Sequence, residues 1–202
     1  EELCIVDNKL YVANSGGYRA PNYDNTLSEI DLTTFKEIRK IKVGLNLHHS
    51  QVDHYGQIWV TSRGNYNDVP SRIYWLYKGH NQLYEVIDSI DTPVSGLSIV
   101  GDSLYYYGSA WNSATATNTI SYGLINVRTH QTIETNLFSA PQIKDITMPY
   151  GIMVNPTERD FYLMDAKNYV SSGSLLHFKP DGTFDWSVQT GDIPGHATFV
   201  YK

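Results

Sequence analysis

One short pattern recurs four times in this chain, and such internal repetition restricts the fold more than any other feature of the sequence. Each copy is a run of β-prone residues, and successive copies start 48, 46 and 57 residues apart. A turn-forming pair precedes each run, and a loop with two further β-patterned runs follows it. The four copies are Leu10–Ser15, Ile58–Arg63, Leu104–Ser109 and Phe161–Ala166.

Every repeat contains four β-patterned runs, which we label A to D in chain order. Four antiparallel strands in roughly 40–50 residues are typical of one blade of a β-propeller. No window has the period of an amphipathic helix. The sequence therefore predicts a single all-β domain, a β-propeller with four four-stranded blades at approximately 1–48, 49–94, 95–149 and 150–202. A β-sandwich of regularly spaced strands is the alternative, but it does not explain why the four runs return in the same order.

A fifth A-type run, His196–Lys202, follows the fourth repeat without B, C and D runs of its own. A propeller ring commonly closes by pairing a strand from one chain end with strands from the other. We therefore expect these blades to be the C-terminal part of a longer propeller, because their first and last sheets would otherwise expose edges that promote aggregation. A complete four-bladed ring with one redundant strand is the alternative.

Composition limits the partners of such a fold. The 15 basic residues are scattered among 21 acidic ones, which argues against nucleic acid, because phosphate binding needs a concentrated basic surface. No stretch approaches the roughly 18 apolar residues of a membrane span. Cys4 is the sole cysteine and lies in the apolar run Leu3–Val6, so we expect a buried and unreactive thiol.

The connections between strands B and C are the longest in the sequence, at 16–25, 64–71, 110–119 and 167–173. In a propeller they share one face with the D-to-A connections, and long loops on one rim of a rigid scaffold are frequently functional. Sixteen tyrosines are many for 202 residues. Tyr, Trp and Asn offer contact area and hydrogen bonds at a small entropic cost.

We therefore predict a ligand-binding surface on this face. Its aromatic members are Tyr18, Tyr23, Tyr66, Trp111, Tyr150 and Tyr169, and its polar members are Arg19, Asn22, Arg63 and Asn168. In the alternative interpretation, the tyrosines pack between blades and the asparagines and glycines only form turns.

His48 and His49 are the nearest approach to a metal motif. Neighbouring residues on a strand point to opposite faces, so we expect them to form hydrogen bonds rather than to share an ion. Asp24, Asp68 and Asp192 lie on the predicted loop face, and a metal site there is possible although their spacing does not indicate one.

Catalytic motifs are missing from the sequence. It contains neither a nucleophile elbow nor a phosphate-binding glycine loop, so we predict no catalytic residue, metal ligand or cofactor. Asp165 ends a B strand, and we expect its carboxylate to bind the backbone of the adjacent loop.

Two segments resemble a known family. The stretches LYVANSGG, NYDNTLSEIDLTTFKEIRKIKVGLNLHH and YGQIWVTSRGNY resemble the YncE-like propeller repeat. The segment PYGIMVNPTERDFYLMDAKNYVSSGSLLHFKPDGTFDWSVQTGDIPGHATFVYK is similar to the ending of seven-bladed propellers on the surface of Bacteroides-type gut bacteria. That family includes the corrinoid-binding lipoprotein BtuG.

The resemblance implies a lipid-anchored, non-catalytic binding protein at the cell surface or in the periplasm. Its partner would be a small-molecule ligand, such as a corrinoid, or an outer-membrane transporter. Two other functions stay open at this point: a metal-dependent propeller hydrolase or lyase, and a protein-interaction subunit of an outer-membrane uptake complex.

Overall fold

The computed structural model describes residues 2–112 and 117–200, and it does not describe the side chains of 110–118. The described chain forms sixteen β-strands in four antiparallel sheets and one short 3₁₀ helix. Within every sheet the four strands lie side by side in chain order. The prediction of an all-β chain with four four-stranded blades is therefore confirmed.

The strands of the first two blades lie close to their expected positions. Blade 1 contains β1 (Leu3–Val6), β2 (Lys9–Ala13), β3 (Thr26–Asp31) and β4 (Lys36–Lys42). Blade 2 contains β5 (Leu47–Val52), β6 (Ile58–Ser62), β7 (Arg72–Lys78) and β8 (Tyr84–Asp91). Both blades belong to one compact unit, Glu1–Ser95, which we call unit 1.

The other two blades form a second compact unit, Gly96–Lys202, which we call unit 2. Blade 3 contains β9 (Gly96–Val100), β10 (Ser103–Asn112), β11 (Thr117–Asn126) and β12 (Gln131–Glu134). The 3₁₀ helix, Pro141–Asp145, follows it. Blade 4 contains β13 (Pro149–Val154), β14 (Phe161–Asp165), β15 (Ser172–Phe178) and β16 (Phe184–Asp192).

Each unit has its own hydrophobic core, because alternate residues of a strand point to the same face of its sheet. In unit 1, Tyr11 and Leu27 of blade 1 pack with Ile58, Val60 and Leu76 of blade 2. Cys4 belongs to this cluster, and burial raises the pKa of its thiol to about 11, as expected for an unreactive cysteine.

The core of unit 2 is rich in phenylalanine. Phe161 and Phe178 lie in neighbouring strands of blade 4, and Phe138 reaches them from the segment after β12. The ring centroid of Phe138 lies 5.0 Å from those of both Phe161 and Phe178. Aromatic rings at this separation stabilise a core beyond the contribution of their buried area.

Three sequence predictions about strand ends are wrong. The sequence pattern predicts the D run of blade 3 at Thr132–Phe138, but β12 ends at Glu134. The Glu134 carboxylate accepts hydrogen bonds from the next two backbone amides and so turns the chain. The predicted loop 110–119 is largely strand, because β10 and β11 stay paired up to Asn112 and Thr117. No strand forms in the described residues 193–200, so the fifth A strand is not found there; residues 201 and 202 lie outside the description.

Candidate ligand-binding site

Backbone hydrogen bonds join three connections on the loop side of unit 1. The amide of Asn46 donates to the carbonyl of Asp24 at 2.7 Å, and the amide of Arg63 donates to the carbonyl of Asn46 at 3.0 Å. Gly64 donates in turn to the carbonyl of Leu45 at 3.1 Å. The B–C loops of blades 1 and 2 are thereby fixed to the connection between the two blades, and any site they form is pre-organised.

Two glycines make these loops possible. Gly16 and Gly64 have φ angles of +78° and +65°, in the left-handed region that costs other residues energy. A Cβ atom at Gly64 would overlap the carbonyl oxygen of Val69, and one at Gly16 would overlap the amide of Asp24. Each glycine therefore allows the returning arm of its loop to approach closely.

The loops bring Tyr23 of blade 1 to Tyr66 of blade 2. Their ring centroids lie 6.1 Å apart with an interplanar angle of 76°, an edge-to-face arrangement. Tyr23 is half-buried, whereas Tyr66 is 68% exposed. The pair thus places an accessible aromatic surface where two blades meet, and the sequence could not indicate which tyrosines would pair.

Arg63 is held by a histidine. One Nη atom of Arg63 lies 2.7 Å from Nε2 of His48, and Nδ1 of His48 lies 3.1 Å from the carbonyl oxygen of Ser95. A guanidinium can only donate and a carbonyl can only accept, so His48 is neutral and carries its proton on Nδ1. Burial, the neighbouring His49 and the charge of Arg63 lower the pKa of His48 to about 2.

This arrangement predicts a pH dependence of stability. The ordinary pKa of histidine is 6.5, so below that pH His48 becomes protonated in the unfolded chain but stays neutral in the folded chain. The free energy of unfolding therefore falls as the pH falls. Between pH 6.5 and 5 the free energy of unfolding should drop by about 2 kcal/mol more in the wild type than in His48→Gln. Urea denaturation at several pH values measures this difference. The exposed His80→Gln should keep the wild-type dependence; equal dependence in wild type and His48→Gln would contradict the assignment.

The two adjacent histidines are closer than expected. The register of β5 against β6 shifts between Leu47 and Ser50, and the ring centroids of His48 and His49 lie only 4.3 Å apart. The expectation that they point to opposite faces is therefore wrong, because a bulge interrupts the alternation. Their hydrogen-bonding role is confirmed, since His49 Nδ1 lies 2.9 Å from a carboxylate oxygen of Glu2.

The other residues predicted from the first loop are not assembled with the tyrosine pair into one binding surface. Tyr18 is fully exposed, and Asn22 is exposed as well, with its backbone amide donating a hydrogen bond to the carbonyl of Arg19. The guanidinium of Arg19 lies 3.2 Å from the carboxylate of Asp24. Burial would raise the pKa of Asp24, but hydrogen bonds from Thr26 and from the Asn25 amide outweigh it and lower that pKa. Arg19 and Asp24 thus stabilise the loop itself.

A surface hollow of about 320 Å³ lies beside this loop. Its lining includes Ser15, Gly16, Asp24 and Lys40. The size is at the lower end of the range for small-molecule sites. The hollow is open to solvent, and it adds a recess to the side of the loop that carries Asp24.

Unit 2 contains a second tyrosine pair, formed by Tyr150 of strand β13 and Tyr169 of the connection between β14 and β15. The ring centroids of Tyr150 and Tyr169 lie 5.6 Å apart at 82°. The exposed Asn168 uses its side-chain oxygen to accept hydrogen bonds from Val170 and Ser171, so it holds its own turn. Trp111 is a backbone member of β10, and its side chain lies outside the described residues.

The acidic residues considered for a metal site have local partners. Asp165 accepts hydrogen bonds from the amides of Met148 and Lys167, which confirms its expected role in the adjacent loop. Asp68 accepts one from Asn65. Among the residues described, no group of three or more His, Cys, Asp and Glu side chains could hold a metal ion. No helix of the described chain has the length and apolar character to cross a membrane.

Comparison with known proteins gives information about the fold alone. No protein-family model matches the chain, and no curated protein sequence matches it either. Among solved structures, the chain is similar to the hydrazine synthase of Kuenenia stuttgartiensis, with a TM-score of 0.65 and 16% sequence identity. The match covers 89% of this chain and 50% of the hydrazine synthase chain, so this chain spans about half the length of that protein. The likeness agrees with a propeller-like arrangement of the four blades.

Proposed function

We propose that this chain is a non-catalytic ligand-binding β-propeller that captures a small molecule on its aromatic loop face. The observation that carries the proposal is the edge-to-face pair of Tyr23 and Tyr66, which joins two blades and leaves Tyr66 largely exposed. A ligand with an apolar or conjugated body would lose water against these rings, while nearby amides and the Arg63 guanidinium would orient it.

The rigidity of the loops supports a binding role. Binding costs less when the receptor is ordered before the ligand arrives, and the backbone bonds of Asn46, Arg63 and Gly64 supply that order. The exposed tyrosine has a positive φ of 60°, which fixes its backbone in an unusual conformation for a bulky residue. Such strain is retained where the surrounding structure holds it, and it clusters at ligand-binding positions.

The cellular setting of the proposal rests on the resemblance to YncE-like surface propellers of Bacteroides-type bacteria. On that basis the chain would be the C-terminal part of a seven-bladed propeller. That propeller would be lipid-anchored, at the cell surface or in the periplasm. Its partner would be a small-molecule ligand, such as a corrinoid, or an outer-membrane transporter.

A thermal-shift screen with corrinoids, glycans and divalent metals tests the proposal. For any compound that raises the unfolding midpoint, Tyr66→Ala should weaken binding by about tenfold, because a buried aromatic contact contributes of the order of 1–2 kcal/mol. Tyr23→Ala should act in the same direction. Isothermal titration calorimetry on the full chain measures both effects.

Tyr77→Ala is the matched control. Tyr77 is 49% exposed but lies in β7, away from the B–C loops. Its substitution should leave affinity unchanged. A ligand whose affinity falls equally in the Tyr66 and Tyr77 variants, or a screen in which no compound raises the midpoint, counts against the proposal.

A further inference from the structure

The guanidinium of Arg63 is half-buried on this loop face, and among the described residues its charge has no acidic partner. Within the part of the chain that the structure describes, its side chain contacts neutral His48 and no carboxylate. Four other arginines each have a carboxylate within 3.5 Å: Arg19, Arg39, Arg72 and Arg128. Arg159 is exposed and donates to the carbonyl of Val100.

Removing a cation partly from water costs free energy unless a bound anion neutralises its charge. The carboxylate of Glu2 lies 2.9 Å from Nδ1 of His49, the neighbour of His48, and accepts a hydrogen bond from the Ser50 amide. Arg63 has five N–H donors in a planar fork, and one of its two Nη atoms is committed to His48. The fork is thus fixed in place while donors remain for a carboxylate or phosphate, which guanidinium groups bind in a bidentate manner.

His48 acts as a positioning residue for this fork. Its Nδ1–H is oriented by the Ser95 carbonyl, and this leaves the Nε2 lone pair facing Arg63. A protonated histidine at this position would repel the guanidinium and could not accept from it. The neutral ring therefore orients Arg63 without neutralising it, whereas an aspartate would do both.

We propose that the ligand captured on the loop face carries an anionic group, a carboxylate or a phosphate, which Arg63 binds beside the tyrosine pair. Arg63 and Tyr66 belong to the same connection, and Asn46 links that connection to the loop of Tyr23. The site thus combines one fixed cation with an aromatic surface. This inference rests on the proposed function and specifies the chemical class of its ligand.

Benzoate and its neutral isostere benzamide are suitable probes, with phenyl phosphate added to separate phosphate from carboxylate. On the full chain, we expect benzoate or phenyl phosphate to bind and to shift the Arg63 Nε–Hε NMR signal, with benzamide binding at least about tenfold more weakly. Arg63→Gln should lose about tenfold in affinity for the anion. Arg72→Gln, which removes an arginine already paired with Asp91, is the matched control and should stay within about twofold.

Variants of His48 separate positioning from folding. Glutamine can donate to Ser95 and accept from Arg63, so His48→Gln should retain anion binding, whereas His48→Leu should lose it as Arg63→Gln does. Equal binding of benzoate and benzamide, or equal loss in the Arg63 and Arg72 variants, would overturn the inference. A screening ligand that needs Tyr66 but ignores Arg63→Gln would overturn it too, and would leave the proposed function standing.

Discussion

Phe178→Ala is expected to lower the free energy of unfolding by about 3–5 kcal/mol, the range for truncating a fully buried phenylalanine. Phe178 is 0% exposed at the end of β15, opposite Phe161 in the neighbouring strand. Its ring centroid lies 5.0 Å from that of Phe138 and 5.6 Å from that of Phe184. Alanine would leave a cavity, and the sheet pairing of the strands that carry Phe161 and Phe184 limits how far the core can collapse to fill it.

Urea denaturation followed by circular dichroism measures this loss. Phe35→Ala is the control, because Phe35 is 75% exposed and its truncation should change stability by no more than about 0.5 kcal/mol. A loss below about 1 kcal/mol in Phe178→Ala would mean that the phenylalanine core of unit 2 does not contribute as described.

Gly64→Ala is expected to lower the free energy of unfolding by at least about 2 kcal/mol and to remove ligand binding at the loop face. The φ of Gly64 is +65°, and an added Cβ would overlap the carbonyl oxygen of Val69 and the backbone of Pro70. These are backbone atoms, so no side-chain rotation relieves the overlap. The loop must shift, and Tyr66 and Arg63 must shift with it.

Gly191→Ala provides the comparison for this variant. Gly191 lies in β16, has no atom within 4 Å of the position of an added Cβ, and should tolerate alanine. Calorimetric titration with the best screening compound then separates loss of binding from loss of stability. Full binding by a folded Gly64→Ala protein would show that the loop conformation does not matter for the site.

The sequence predicted a strand well where the residues of that strand and its flanking turns determine its bounds. The pattern predicts the C run of blade 2 at Arg72–Lys78, and strand β7 has these bounds. An alternating run of bulky residues is enclosed there by turn formers at both ends. The predictions failed where a side chain or a partner strand decided the outcome. Glu134 ends β12 by binding two amides, and pairing between β10 and β11 absorbs most of a predicted loop.

The site was predictable only in part, for a similar reason. The sequence pattern placed Tyr23 and Tyr66 on loops and Arg63 at the end of a B run. Their arrangement, however, depends on backbone bonds between loops that are distant in sequence. The role of His48 was hidden because a bulge in β5 breaks the alternation on which the sequence argument relied. The requirement for Gly64 follows from its positive φ, which composition does not reveal.

An NMR titration of the isotope-labelled chain with the first compound from the screen tests the central claim most directly. The claim is that the interlocked loops of blades 1 and 2 form the binding surface. We expect backbone amide shifts to concentrate in residues 15–25, 44–48 and 63–71, and to disappear in Tyr66→Ala. Shifts confined to the outer strands β4 and β8, with these loops unchanged, would contradict it.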